Sequence, residues 1–524
     1  MKGLFIFLLF PLTGFSQTEP CDILIINGKI MDGTGNSWYY GNVAVKDGKI
    51  LSIGRDVKVT AKKTIDAKGL IIAPGFIDVH THLEGDEEKD PTAANFIYDG
   101  VTTVVTGNCG SSNLDIKKYL QWIDSLKLSI NVATLVGHND VREKIMGRAN
   151  RNATINEMLQ MDSIVDRAMK DGAVGLSTGL IYIPGTYTKT SEIIDLAKIV
   201  ARYNGVYSTH MRDEGDSVTD AIEEALRIGR EAKIPVEISH FKLSGQQNWG
   251  RSKQTVPMID KARKEGIEVT IDQYPYTASS TSISTLFPEE VLADGQDSIK
   301  ARLQRPATKK YVTNYLVGRL AKRKLKHFNY VVVAYFEPDT SYNGKSIEQI
   351  NLLKGRKHTV AAEAQTVIDI MMEGGASAVF HGMSEDDIKR IMQYPYNMFA
   401  SDATIRLFNA GMPHPRGYGT NARVLSKYVR EEKVISLEEA IRRMTSLPAQ
   451  KFQLHDRGLL KEGMTADIVV FNEKEVKDVS TYDKPHAYSK GFYYVLVNGV
   501  LTMDSQKHNG IRAGKSIYGP GKIN

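Results

Sequence analysis

The stretch Gly75-Phe-Ile-Asp-Val-His-Thr-His82 joins an apolar strand to a pair of histidines. His80 and His82 are two positions apart, so both imidazoles leave an extended backbone on the same side. In a parallel β/α barrel the carboxyl ends of the strands surround one mouth, and functional side chains come from those ends. The stretch therefore predicts the first strand of such a barrel and a site at its mouth.

Seven more apolar segments follow this strand. Each of the first six strands is followed by a loop or an amphipathic helix. Residues 217–233 illustrate the helices, since Val218, Ile222 and Leu226 recur on one face. This alternation is typical of an α/β chain folded as a (β/α)8 TIM-like barrel. The eight predicted strands are 71–79, 101–107, 131–137, 173–178, 206–210, 235–240, 268–273 and 397–402.

The two ends of the chain and one interruption differ from the barrel pattern. Asn27-Gly28, Asp47-Gly48 and Asn498-Gly499 adjoin short apolar runs near both ends, and such pairs are strong hairpin signals. We therefore expect a small β-sandwich assembled from both chain ends. Residues 285–375 are too long for a loop and predict an inserted subdomain. The predicted organisation is a signal peptide at 1–17, a first β-sandwich segment at 18–72, a first barrel segment at 73–284, the insert at 285–375, a second barrel segment at 376–453 and a second β-sandwich segment at 454–524.

Composition and the N-terminal segment limit the class of protein. Of the 524 residues, 42% are hydrophobic and 24% are charged, which is globular composition. The net charge is only +6, and no run of five like charges suggests a nucleic-acid groove or a membrane-binding face. Met1-Lys2 and the apolar run at 4–10 are typical of a secretory signal peptide. We expect an exported protein, periplasmic or secreted, that has no membrane span and acts on a small molecule; its oligomeric state stays open.

Six side chains that can bind a metal fall at the ends of five predicted strands. Imidazole and thiolate ligands together favour zinc over magnesium or calcium, which prefer oxygen. A thiolate with two imidazoles leaves a fourth position open to water, and zinc makes hydroxide available near neutral pH. A carboxylate opposite the metal can move the proton, so the pattern predicts metal-assisted hydrolysis. The six residues are His80, His82, Cys109, His210, His240 and Asp402.

Several motifs resemble those of one enzyme family. The 75–82 stretch and Gly463-Met-Thr-Ala-Asp-Ile-Val-Val-Phe471 resemble motifs of the amidohydrolase superfamily. More narrowly, the chain is similar to the N-acyl-D-amino-acid deacylases (D-aminoacylases) from about residue 22 to about residue 480, and least so in the insert. Cys109 is the residue that separates the deacylases from two related groups. The deacylases place a cysteine on the second strand, whereas hydantoinases and dihydroorotases typically bridge two metals with a carboxylated lysine. The other similar segments are Gly175-Leu-Ser-Thr-Gly-Leu180, Ser208-Thr-His-Met-Arg212, Asp272-Gln-Tyr-Pro-Tyr276 and Pro413-His-Pro-Arg416.

The resemblance implies two metal positions and a proton carrier. The ligands of a tightly bound zinc would be Cys109, His210 and His240. The residues lining a second, weaker metal position would be His80, His82 and Asp402. Asp402 would act first as general base and then as general acid.

Substrate contacts are expected next to these ligands. Lys242 shares the strand side of His240, and its ammonium is a candidate to bind a substrate carboxylate. Tyr274 could add a hydroxyl donor to the same group. Further candidates for substrate contacts are Tyr182, Arg212, Arg416 and His381.

The leading hypothesis is a zinc hydrolase that cleaves N-acyl-D-amino acids to a carboxylic acid and a free D-amino acid. A cyclic-amide hydrolase of the hydantoinase or dihydroorotase kind and a dipeptidase that releases a D-residue are the alternatives within the same machinery. Cys109 counts against the cyclic-amide version. A binding protein without turnover is a third class, and the intact ligand set with Asp402 counts against it. The accepted side chain stays open: an acidic D-residue would need an extra cation, which Arg212 or Arg416 could supply.

Overall fold

Eight parallel strands close into a barrel in the computed structural model, which describes residues 19–522. The circle closes where the Asp402 N–H donates to the His80 carbonyl and the His82 N–H donates to the Ala403 carbonyl, both at 2.9 Å. The end of the last strand therefore lies beside the histidines of the first. The predicted (β/α)8 barrel is confirmed. Its strands are Phe76–Asp78, Val101–Thr106, Asn131–Thr134 continued by Val136–Gly137, Gly175–Gly179, Val206–His210, Val236–Ile238, Val269–Gln273 and Asn397–Phe399.

Amphipathic helices cover the outside of the barrel. In helix Val218–Ala232, Ile222 and Leu226 are buried against the strands, while Glu223 and Arg227 face water. Each helix thus reverses the chain and seals the barrel's outer surface. These helices are Ala94–Ile97, Ile116–Leu126, His138–Met146, Ile155–Asp171, Thr190–Ala201, Val218–Ala232, Ser252–Lys264, Glu385–Met392, Arg416–Arg423, the π-helix Val424–Glu431, Leu437–Met444 and Ser446–Lys451. Short 3₁₀ turns occur at Gly185–Tyr187 and Gln246–Asn248.

Both ends of the chain build a single β domain. Its nine strands form one sheet, in which Ile468–Phe471 pairs antiparallel with Ile71–Pro74 and so joins the two ends. Asp47 and Gly48 have φ values of 49° and 78°, and this left-handed pair makes the tight hairpin that the sequence predicts. The strands are Glu19–Ile30, Tyr39–Lys46, Lys49–Gly54, Val59–Asp66, Ile71–Pro74, Ile468–Phe471, Phe492–Val497, Val500–Asp504 and Lys507–His508.

The last described residues leave the β domain and return to the barrel. The Val132 N–H donates to the Lys515 carbonyl at 3.0 Å, and the Ile517 N–H donates to the Val132 carbonyl at 2.8 Å. This tail therefore lies along the third barrel strand, although the sequence assigned all of 454–524 to the β domain. In the described range no helix is both long and apolar enough to cross a membrane.

The insert between the seventh and eighth barrel strands is a subdomain with its own core, which includes Leu316, Phe328 and Val367. It is wider than the expected range 285–375, because its three-stranded antiparallel sheet takes one strand from before that range and its central strand from after it. The strands are Ala278–Ser282, Val331–Tyr335 and Ser377–His381. The helices are Glu289–Leu292, Gln296–Gln304, Pro306–Lys322, Ile347–Leu353 and Val360–Met372, with 3₁₀ turns at Ile283–Leu286, Phe328–Tyr330 and Thr340–Tyr342.

Candidate active site

The Cys109 thiol lies among three imidazoles at the barrel mouth. Its Sγ is 3.4 Å from His80 Nε2, 3.6 Å from His210 Nδ1 and 3.6 Å from His240 Nε2. These four residues follow or end the first, second, fifth and sixth strands, so strand geometry alone brings them to one place. Sulfur and imidazole nitrogens therefore face a common centre.

The backbone at three site residues adopts the left-handed region that non-glycine residues avoid. The φ angles are 53° at Cys109, 36° at His240 and 49° at Asp402. Each residue follows closely on a strand end, where this turn redirects the side chain toward the barrel axis. Strain of this kind concentrates at functional sites, because the surrounding structure must hold it. At Gly179 an added Cβ would lie 2.1 Å from the Cys109 carbonyl oxygen, so this strand end closely supports the Cys109 loop.

Asp402 completes a second group with the histidines of the first strand. Its Oδ1 is 3.2 Å from His82 Nε2 and 3.8 Å from His80 Nε2, and its Oδ2 is 2.8 Å from Arg416 Nη1. Burial disfavours a charged carboxyl, but Arg416 and His82 outweigh it and hold the pKa of Asp402 well below its usual range. Asp402 is therefore a carboxylate with one oxygen anchored and the other facing the histidines.

The protonation states of the ring nitrogens suit a metal. Burial lowers the pKa of His80 to about 4 and the pKa values of His210 and His240 well below normal, so the three rings are neutral. Glu214 Oε1 lies 2.9 Å and Lys242 Nζ 2.7 Å from His240 Nδ1, so both hold that side of the ring while Nε2 faces Cys109 Sγ. The enclosed position of the Cys109 thiol raises its pKa well above normal, and a bound divalent cation reverses such a shift. Thiol, imidazole and carboxylate donors together fit zinc.

Two carboxylates that the sequence analysis missed hold the imidazoles in place. Glu214 contacts His240 and lies 3.8 Å from His210 Nε2 through its other oxygen. Asp272 Oδ1 accepts the His240 backbone N–H at 2.8 Å, and its Oδ2 is 3.4 Å from His80 Nδ1. Carboxylates behind metal-binding histidines fix the tautomer and the ring orientation. Asp272 could have been found, because it stands at a strand end as the other site residues do; Glu214 stands in a loop, where only its spacing of four from His210 is a signal.

We expect Glu214→Gln to weaken zinc binding about 10- to 100-fold, because the amide keeps the shape but loses the charge that orients His240 and raises its basicity. Competition with a chromogenic chelator measures this affinity. Glu223→Gln on the exposed face of helix Val218–Ala232 is the matched control and should bind zinc as the parent does. An unchanged affinity in Glu214→Gln would show that Glu214 has no such role.

Comparison with known proteins places the chain in a family. Residues 63–503 match the Amidohydrolase family. The chain belongs to the amidohydrolase family. It is 33% identical over 526 residues to a D-aminoacylase of Alcaligenes xylosoxydans xylosoxydans, an alignment that covers 96% of this chain and 98% of the relative.

Two solved structures resemble this amidohydrolase over nearly its whole length. A D-aminoacylase crystal structure superimposes with a TM-score of 0.82 at 32% identity and covers 95% of this chain and 100% of its own. An N-acyl-D-glutamate deacylase from Bordetella bronchiseptica, solved with zinc and a phosphonate mimic of the tetrahedral intermediate, gives a TM-score of 0.81 at 34% identity with the same coverage. The family resemblance seen in the sequence is confirmed.

A cleft of about 670 Å³ opens above the two ligand groups of this amidohydrolase, a size suited to a small-molecule substrate. Tyr182 and Tyr274 line it, as the sequence predicts. The Tyr182 hydroxyl contacts Thr281 Oγ1 of the insert at 2.9 Å, and its ring meets the edge of the His210 ring at 4.9 Å between centroids. The Tyr274 hydroxyl is buried and has no hydrogen-bond partner within residues 19–522. One wall of the cleft thus comes from the barrel and the other from the insert.

Two residues that the sequence offered as substrate contacts, Arg212 and His381, lie outside this cleft. Arg212 does not line the cleft: its guanidinium donates to Glu224 at 2.9 Å and to the Thr186 and Thr188 carbonyls, so it braces a loop. His381 does not line the cleft either, because it ends the central strand of the insert and packs its ring against Tyr482 at 4.8 Å. Adjacency to a motif in sequence did not fix the direction of either side chain.

Lys242 and Arg416 both line the cleft but are already paired. The Lys242 ammonium forms an ion pair with Glu214 and lies 2.7 Å from His240 Nδ1, so it is not the free cation that the sequence suggested. Arg416 pairs with Asp402, and its guanidinium lies 4.5 Å from the Tyr274 ring centroid. Four other arginines, which no sequence motif indicated, also line the cleft: Arg148, Arg319, Arg323 and Arg406.

Proposed function

We propose that this amidohydrolase is a zinc-dependent N-acyl-D-amino-acid deacylase, which hydrolyses a linear amide to a carboxylic acid and a free D-amino acid. The observation that carries the proposal is the cluster of Cys109 Sγ with the ring nitrogens of His80, His210 and His240 at 3.4–3.6 Å. The activities of the relatives, a D-aminoacylase and an N-acyl-D-glutamate deacylase, support it over the whole chain.

The residues of this chain divide between two metal positions. Cys109, His210 and His240 would hold the tightly bound zinc, with Glu214 orienting His240. His80, His82 and Asp402 would line a second, weaker position. Bound zinc supplies a Lewis acid that polarises the scissile carbonyl and lowers the pKa of water.

Asp402 is placed to carry the proton through the reaction. Arg416 anchors Oδ2, which leaves Oδ1 facing the cleft beside His82. The charged carboxylate takes one proton from the attacking water as the new C–O bond forms. It then gives that proton to the leaving nitrogen as the C–N bond breaks, so water is added across the amide and Asp402 returns to its starting form.

The substrate's α-carboxylate has a ready site in the cleft. The Tyr274 hydroxyl and the Nε atoms of Arg406 and Arg416 are buried donors with no hydrogen-bond partner among the described residues. Unpaired buried donors are costly, and all three residues line the cleft, so the substrate carboxylate is the acceptor that we propose for them. This group would orient the D-amino acid so that its amide faces Asp402.

A direct assay separates this function from its alternatives. We expect hydrolysis of N-acetyl-D-methionine and no turnover of hydantoin, because the site has Cys109 among its candidate ligands, whereas hydantoinases typically bridge two metals with a carboxylated lysine. A dipeptide with a C-terminal D-residue tests the dipeptidase alternative. Turnover of hydantoin or of the dipeptide in preference to the N-acetyl substrate would overturn the proposal, and zinc-dependent hydrolysis of none of them would favour a binding protein.

The insert adds cations that favour an acidic substrate side chain. Arg319 and Arg323 line the cleft from the insert, and neither forms an ion pair with a carboxylate in the described chain. We expect the double variant Arg319→Gln/Arg323→Gln to raise KM for N-acetyl-D-glutamate by about tenfold or more, as loss of a charge-assisted hydrogen bond does. Its KM for N-acetyl-D-methionine should stay near the parent value.

Steady-state kinetics with both substrates provide the measurement. Arg227→Gln, on an exposed helix face outside the cleft, is the matched control and should leave both KM values unchanged. Equal changes in KM for the acidic and the neutral substrate would show that the two arginines do not recognise the substrate side chain.

We also propose that the protein is exported, to the periplasm or out of the cell. Lys2 followed by the apolar run at 4–10 supports this, although residues 1–17 lie outside the described residues. N-terminal sequencing of the protein from its native cells should give a chain that starts at Thr18. A chain that keeps Met1 would contradict export through a cleaved signal peptide.

A further inference from the structure

The inserted subdomain holds a second cluster of metal-ligand side chains, none of which lines the cleft. One histidine precedes the turn Phe328–Tyr330, a glutamate lies on helix Ile347–Leu353, and a loop histidine and a helical glutamate flank the start of helix Val360–Met372. One ligand atom from each lies within 4.8 Å of the other three. The four residues, which we call the insert cluster, are His327, Glu348, His358 and Glu363.

In the insert cluster, one ring nitrogen of each histidine faces both carboxylates. His327 Nδ1 is 2.6 Å from Glu363 Oε1 and 3.7 Å from Glu348 Oε1. His358 Nε2 is 2.6 Å from Glu348 Oε1 and 4.0 Å from Glu363 Oε1. The two rings stack with centroids 4.2 Å apart, so they present these nitrogens on the same side. Two short histidine–glutamate contacts therefore lie side by side, and their four ligand atoms are close enough to share one pocket.

The carboxylates of the insert cluster are held and sheltered. The Glu363 side chain is fully buried, and its Oε2 accepts the Phe328 N–H at 2.7 Å, which aims Oε1 at the histidines. The Glu348 side chain is 20% exposed. In the described chain, no lysine or arginine forms an ion pair with either glutamate. The pocket therefore holds two carboxyl groups that meet imidazoles and no lysine or arginine of the described chain.

The donor set of the insert cluster matches a divalent cation. One such ion can take an oxygen from each carboxylate and a lone pair from a nitrogen of each imidazole. Two imidazoles and two carboxylates suit zinc, and four protein ligands with no open position are the mark of a structural site. Tetrahedral zinc with bonds of about 2 Å holds its ligand atoms about 3.3 Å apart, so ligand-to-ligand distances of 2.6–4.0 Å need only small side-chain movements.

We propose that the insert cluster is a structural zinc site. The ion would fasten the segment before the Val331–Tyr335 strand to helices Ile347–Leu353 and Val360–Met372, and so stabilise the subdomain that supplies one wall of the cleft. Its role is separate from the zinc of the barrel mouth, because it shares no ligand with it.

The test uses the full-length protein in a Cys109→Ala background, so that zinc at the barrel mouth does not obscure the result. Equilibrium dialysis against micromolar zinc should give one more zinc per chain in Cys109→Ala than in the variant that also carries His327→Gln and His358→Gln. Zinc should also raise the melting temperature of Cys109→Ala by a few degrees, an effect that the added changes abolish. His455→Gln, an exposed histidine elsewhere, is the matched control and should keep the ion.

A second arm separates this proposal from the proposed enzymatic function. His358→Gln alone, at a half-exposed position, should lower the zinc content of the otherwise unchanged protein by one per chain and leave kcat on N-acetyl-D-methionine near the parent value. Equal zinc contents with and without the two histidines would overturn the proposal and leave four side chains joined by histidine–glutamate hydrogen bonds only. Loss of activity with unchanged zinc content would equally contradict it.

Discussion

Asp402→Asn is expected to lower kcat about 10²- to 10⁴-fold while the tightly bound zinc stays in place, because an amide cannot accept the proton that a general base removes. The substitution preserves the size of the side chain, and its amide oxygen can still accept from Arg416 although the negative charge is lost. The tight ligands Cys109 and His240 belong to other strands and are not altered. Steady-state kinetics on N-acetyl-D-methionine and metal analysis of the same sample test both halves of the prediction.

A control at another aspartate separates chemistry from a general loss of charge. Asp386→Asn removes an exposed carboxylate on helix Glu385–Met392 and should leave kcat and zinc unchanged. Near-normal turnover by Asp402→Asn would remove Asp402 from the proton path. Loss of the tight zinc in that variant would instead make Asp402 a ligand of the main metal position.

Cys109→Ala is expected to remove one zinc per chain and to reduce kcat/KM on the order of 10³-fold. Its sulfur lies 3.4–3.6 Å from a nitrogen of each of three imidazoles, and alanine offers no ligand atom in its place. The size of the effect reflects loss of the several kcal/mol that a Lewis acid gives the transition state. Metal analysis after dialysis and initial rates provide the measurement.

The second cysteine of the chain makes the control for this variant. Cys21 is also buried, but it lies in strand Glu19–Ile30 of the β domain, where its thiol contacts the Ile23 carbonyl at 3.7 Å. Cys21→Ala therefore creates a similar small cavity without touching the barrel mouth, and zinc content and activity should persist. Full zinc and activity in Cys109→Ala would refute the assignment of the metal to this cluster.

The barrel could be predicted from the sequence because its physics is local and repetitive. Short apolar strands end at polar residues, and the carboxyl ends of parallel strands converge whatever the loops do. Position at a strand end was therefore enough to place Cys109, His210, His240 and Asp402 at one mouth. The hairpin pairs were equally local, since Asp47-Gly48 takes up left-handed φ values that these residue types tolerate.

The features that could not be predicted from the sequence depend on contacts between distant segments of the chain. Glu214 matters because it reaches His240 from another strand's loop, and no local pattern marks that meeting. The sequence did not distinguish the roles of Arg212 and Arg416. In the structure Arg212 braces a loop through Glu224, whereas Arg416 pairs with Asp402. Strand Ala278–Ser282 is polar and half-exposed, so it has no hydrophobic alternation, and only pairing with Ser377–His381 makes it a strand.

The most direct test of the central claim is hydrolysis of matched D- and L-N-acetyl amino acids by one preparation, before and after its zinc is removed by a chelator and restored. Hydrolysis confined to the D-enantiomers, lost with the metal and regained when zinc is added back, is the predicted result. Equal hydrolysis of the L-enantiomers, or undiminished turnover by protein stripped of metal, would contradict the assignment of a zinc-dependent D-specific deacylase.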